Sequence, residues 1–135
     1  MKLLDELVDI YLQGPQAEMM SVLDTRTGDI LLDAPESLTG EPPIDWDDEE
    51  SCFLVEILTA SSAEMFEVMV VFTKQQPERI AELLFTALDG RKPFRRFKDA
   101  INNVGIDQQW YDFEQLYATE KMQDWLSAVS MQENH

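Results

Sequence analysis

With 135 residues, 44% hydrophobic content and a formal net charge of −17, the chain is long enough to bury roughly two thirds of its unfolded surface as one domain. It is too acidic for non-specific attachment to nucleic acid or anionic membrane. Its one cysteine, Cys52, excludes an intrachain disulfide and argues against a thiol zinc site, and its one histidine, His135, is the last residue, which removes positioned Ser-His-Asp or Cys-His machinery and histidine-ligated metal hydrolases.

Leu3, Leu4, Leu7, Val8, Ile10 and Tyr11 follow a helical stripe that Gly14-Pro15 ends, so a helix over 2–12 is expected. Acids at Asp5, Glu6 and Asp9 break any signal-peptide core. The longest purely apolar run, Val68 to Phe72, is far short of the ~20 residues that span a bilayer. With the lone thiol, these features lead us to expect a cytoplasmic protein and no membrane attachment.

Residues 19–23 and 29–33 flank Asp24-Thr25-Arg26-Thr27-Gly28 and read as a β-hairpin, with Gly28 supplying the positive φ of a bulged turn. The stretch 34–51 holds Pro35, Pro42 and Pro43 and five acids within 45–50, and reads as loop. Strand formers over Cys52 to Leu58 predict a third strand paired with the hairpin. Ser61 and Glu64 have capping-box spacing ahead of Met65, Phe66, Met69 and Phe72, which predicts a helix despite the strand propensity of Val68 to Phe72.

Pro77 and Gly90 bracket a further helix with Ile80, Leu83, Leu84, Ala87 and Leu88 on one face. Pro93 opens the next, with Phe94, Phe97, Ile101 and Val104 apolar and Gly105 ending it. Asp107 caps a last helical stretch that Thr119 can divide in two. Its Trp110, Phe113 and Trp125 are assigned to the core, while Tyr111 is left for the surface. Residues 131–135 read as a frayed tail. The prediction is a single α+β domain over 1–130, with a small antiparallel sheet of a hairpin plus one strand packed against five to six helices.

The charge is unevenly spread. Residues 1–90 carry twenty acids and four bases, whereas 91–98 carry Arg91, Lys92, Arg95, Arg96 and Lys98 and no acid. These cations crowd the positive end of the helix opening at Pro93, which helix electrostatics disfavours by roughly a few tenths of a kcal/mol per charge. A negative group is therefore expected there. Asp99, Asp112, Glu114 or the 45–50 loop can supply it from within, since arginine meets carboxylate through a planar fork. Otherwise it comes from outside, as a phosphate-bearing ligand or an acidic segment of a partner protein.

Gly90-Arg91-Lys92-Pro93-Phe94-Arg95-Arg96-Phe97-Lys98-Asp99, followed by Trp110-Tyr111-Asp112-Phe113 and Trp125-Leu126, resembles uncharacterised protein family 158. Leu23-Asp24-Thr25-Arg26-Thr27-Gly28-Asp29 is similar to that family's aspartate-and-glycine turn, so the likeness runs from about the first helix to Leu126. The resemblance implies a small bacterial cytoplasmic protein of this layout; it carries no activity with it.

The other features narrow the chemistry. Asp45, Trp46, Asp47, Asp48, Glu49 and Glu50 invite a calcium reading but lack the EF-hand's alternating oxygens, central glycine and twelfth-position glutamate. Trp46 among these acids either anchors the loop or awaits a partner. Met19, Met20, Met65 and Met69 suit core gaps or an adaptable groove. Five scattered glycines form no phosphate cradle, and no carboxylate pair stands out among 27 acids. The expectation is a non-enzymatic interaction protein without cofactor or metal, which meets a protein partner or phosphate group through its Arg91 to Lys98 corner and does not bind nucleic acid directly. The alternative is an acidic mimic of nucleic acid that occupies a basic DNA-binding partner through residues 45–50.

Overall fold

The computed structural model describes residues 2–133. Helices are α1 (Lys2–Gln13), α2 (Glu36–Thr39), α3 (Ser62–Lys74), α4 (Glu78–Leu88), α5 (Pro93–Asn103) and α6 (Asp107–Glu133). Strands are β1 (Met20–Asp24), β2 (Ile30–Asp33) and β3 (Leu54–Glu56), which form one antiparallel sheet in the order β2-β1-β3. The chain is thus α+β, with the expected hairpin and added strand. It divides into two compact units, residues 1–60 with 118–135, and residues 61–117.

In the first unit, the buried residues include Leu7, Val8 and Tyr11 of α1, Val22 and Leu23 of β1, and Ile57 just after β3. Gly14 ends α1 at φ 75°, and the Tyr11 carbonyl accepts the amides of both Gly14, at 3.2 Å, and Ala60, at 2.9 Å. The hairpin closes as its composition demands. Gly28 (φ 80°) donates to the Asp24 carbonyl at 2.8 Å, and the Asp24 carboxylate accepts the Arg26 amide at 2.9 Å. The Arg26 guanidinium also bonds that carboxylate, which holds Asp24 below the usual carboxylate range. Arg26 lies over the Phe53 ring, 4.3 Å from its centroid.

Two parts of this unit differ from the sequence expectation. The proline-rich stretch holds a single helical turn, α2, and a 3-10 turn over Glu49–Phe53. That turn forms because the Asp48 carboxylate accepts the Glu50 amide at 3.0 Å, and it takes Cys52 and Phe53 out of the predicted strand. Ile57 and Leu58 of the predicted strand also lie outside it, so β3 is three residues long. It is joined to the hairpin through the Phe53 carbonyl, which accepts both the amide (2.9 Å) and the hydroxyl (2.8 Å) of Thr25.

The second unit is a helical core. Ser61 caps α3 by accepting the Glu64 amide at 3.1 Å, so the β-branched run is helical, with Val68, Met69 and Phe72 buried on one face. Leu84 and Leu88 of α4, Phe97 and Ile101 of α5, Ile106, and Trp110 of α6 complete the cluster. Phe97 meets Phe72 and Trp110 edge-on, with centroids 6.3 and 5.0 Å apart. Leu83, expected on the buried face of α4, is 51% exposed. α6 runs without a break through Thr119. Trp110 is buried, Phe113 and Trp125 are half-buried and Tyr111 is exposed. Of the tail, Met131 to Glu133 continue α6, while Asn134 and His135 lie outside the described residues.

Candidate functional site

The basic corner is the turn between α4 and α5 together with the first turns of α5. α4 closes on Asp89, whose amide donates to the Phe85 carbonyl at 3.0 Å, and three residues then reverse the chain. Lys92 takes the left-handed conformation, φ 53° and ψ 54°, which costs roughly 1–2 kcal/mol for a residue with a Cβ. Pro93 at the first helical position has φ preset and no amide to satisfy. Lysine has no acceptor with which to cap a helix, no side-chain cap is present, and no acid falls in the first turn of α5.

Gly90 has a different role from the helix stop expected of it. Its φ is not in the positive range; instead, a Cβ at this position would run into the Arg96 guanidinium. The missing side chain leaves room for Arg96 to fold back over the turn.

Phe97, Ile101 and Phe94 fix how α5 presents its charges, because they face the core. At about 100° per residue, Asp99 then points most nearly away from the core, with Arg95 on one flank and Arg96 on the other, and Lys98 lies beyond Arg95 toward the core side. All five cations, Arg91, Lys92, Arg95, Arg96 and Lys98, are exposed. Arg26 pairs with Asp24 at 3.4 Å, but none of the five corner cations makes an ion pair within 4.0 Å among the described residues. Asp99 lies one turn after Arg95 and Arg96 and, like Asp112 and Glu114, makes no such pair with the corner.

Lys98 also borders a cleft of about 450 Å³ between α5 and α6, where Asn102, Asp107, Gln108, Tyr111 and Glu114 sit beside the apolar Ile101 and Trp110. Burial pushes the Glu114 carboxyl up from its ordinary value, and the positive charge of Lys98 partly offsets this. Gln108 donates to the Asp112 carboxylate at 2.9 Å along the exposed side of α6. Asn102, Gln108 and Tyr111 are additions to the site that sequence reading missed. Each is an ordinary polar helix residue until α6 is laid beside α5.

The acidic loop is built differently. Both oxygens of Asp33 hold it, one accepting the Ile44 amide and the other the Trp46 indole N–H, each at 2.9 Å. Trp46 therefore anchors the loop while the residue stays 44% exposed. Asp45 and Asp48 each accept the amide two residues on, at 3.0 Å, so these carboxylates brace their own turns. Asp47, Glu49 and Glu50 are exposed. Among the described residues, no three acidic, cysteine or histidine side chains converge in a way that suits a metal ion. No described helix is long and apolar enough to cross a membrane. Neither a family model, nor a curated protein, nor a solved structure matches the chain.

Proposed function

We propose that this protein is a non-enzymatic, cytoplasmic interaction or regulatory protein whose Arg91, Lys92, Arg95, Arg96 and Lys98 corner receives an acidic segment of a partner protein or a phosphate group. The single observation that carries this reading is that all five cations are exposed and none is paired with a carboxylate among the described residues. Arginine forks beside an uncapped helix start favour a planar or tetrahedral oxyanion over a point charge. The resemblance to uncharacterised protein family 158 belongs to the same proposal. Titrating inorganic phosphate, ATP and a glutamate-rich peptide against thermal stability tests it. At least one of the three raises Tm in the wild type and none does so in Arg95→Glu/Arg96→Glu. The absence of any wild-type shift at millimolar concentration overturns the reading.

Charge distribution favours one second reading. The unit of residues 1–60 and 118–135 carries eighteen acids and three bases, net −15, whereas residues 61–117 carry nine acids and seven bases, net −2. In this alternative, the exposed carboxylates of 45–50 imitate nucleic acid and occupy a basic DNA-binding protein. Partner binding that survives the arginine reversals and is lost on neutralising Asp47, Glu49 and Glu50 selects it.

A further inference from the structure

β2 is an edge strand, and its hydrogen-bonding phase can be read from the pairing. Val22 lies opposite Leu31 and Leu23 opposite Ile30, and the Asp24 amide bonds the Asp29 carbonyl at 2.9 Å. The Ser21 carbonyl serves β3 instead, accepting the Ile57 amide at 2.9 Å. Backbone groups alternate along a strand, so Leu31 is bonded to β1 while the N–H and C=O of Ile30 and Leu32 face outward.

Ile30-Leu31-Leu32-Asp33 is short, at four residues, but lacks the other common protections of an edge: there is no proline, no lysine and no bulge. Leu31 and Leu32 are 40% and 48% exposed. Beside Leu32 opens a cleft of about 850 Å³ with Met19, Met20 and Pro43 on its apolar walls. Its charged residues, Glu18, Asp33 and Glu56, are all acidic.

We propose that the β2 edge with this cleft is a docking site for an extended segment of another protein, which adds as a fourth strand, seats alternate apolar side chains against Leu32 and the cleft, and carries flanking lysine or arginine. The pattern of free backbone groups supplies the ladder, the cleft supplies side-chain selectivity, and the acidic rim selects the flanks. Charge decides against a second copy of this chain. A β2-to-β2 pairing centred on Leu31 sets Asp29 against Asp33 at both ends and joins two units of net −15. The site uses none of the basic corner's residues, so the two proposals stand or fall separately.

The test is selection from a random dodecapeptide library on the immobilised full chain, followed by fluorescence anisotropy with the recovered peptides. The expected peptides share apolar residues at alternate positions with basic flanks, and bind Leu32→Pro at least tenfold more weakly. Proline at 32 removes an outward amide while sparing the bonds of Leu31, a placement that edge strands tolerate. Backbone N-methylation of the peptide gives a readout independent of how the variant folds: methyl groups on one set of alternate residues abolish binding to the wild type, and on the other set leave it unchanged. Equal loss in both sets, unweakened binding to a folded Leu32→Pro, or recovered sequences without the basic flanks overturns the proposal. So does sedimentation showing a concentration-dependent dimer that Leu32→Pro dissolves, which would make the edge self-complementary.

Discussion

Gly90 and Glu114 show how individual residues set the character of the basic corner. At Gly90, the space a methyl group would need is taken by the far end of a flexible side chain, so Gly90→Ala moves Arg96 rather than the backbone. The variant is expected to change stability by less than about 0.5 kcal/mol in denaturant unfolding. It should nonetheless weaken capture of whichever acidic probe the corner binds, because Arg96 leaves its present place. A large stability loss would mean that the turn depends on Gly90 for its backbone.

Glu114 makes an opposite kind of prediction. Its folded carboxyl is raised, so the folded state binds the proton more tightly, and stability is full below the ordinary carboxylate range and lost as pH rises through the raised value. Glu114→Gln removes that loss. Thermal unfolding should give a higher Tm than wild type at pH 7 and equal Tm values below about pH 4. Asp24 has the reverse sign: its carboxyl is lowered by Arg26, so its contribution is present at neutral pH and lost as pH falls through the lowered value. An Asp24→Asn variant should therefore lose its disadvantage in acid.

At the scale of elements, local punctuation was a sound guide and long-range contacts were not. The Ser61 cap, the proline start of α5 and the Gly28 turn are decided within a few residues, and all three are found where sequence places them. The third strand was overestimated at both ends, and at its start because the first two predicted residues obey a carboxylate cap at Asp48 that competes with strand propensity. The anchoring of Trp46 depends on Asp33, thirteen positions away, and nothing in either residue's neighbourhood announces it. Likewise, the raised carboxyl of Glu114 exists only because the fold buries it where α6 meets α5. Within α5 the division of labour is firm: Phe97 is fully buried between Phe72 and Trp110, and the charges follow from that orientation. Phe97→Ala is expected to cost about 3–5 kcal/mol in chemical denaturation. A loss under 1 kcal/mol would show that α5 is not held by this cluster.

The whole molecule separates its charge: net −15 in one unit and −2 in the other, with half of all cations in eight residues of the second. Composition alone made the contrast legible, since the five bases are consecutive enough to be counted from sequence. Whether internal carboxylates neutralise them was not legible, because 27 acids offer many partners on paper. Among the described residues none of those acids forms an ion pair within 4.0 Å with the corner, although Glu114 shares a cleft with Lys98, and this gives the proposed docking role its support. The most direct measurement is an amide-resolved NMR titration of the full chain with a glutamate-rich peptide, repeated with inorganic phosphate. Our account predicts that at least one of these probes shifts the amides of residues 90–98 in a saturable manner that Arg95→Glu/Arg96→Glu abolishes. Shifts scattered over the surface, or none in residues 90–98 with either probe at millimolar concentration, would contradict it.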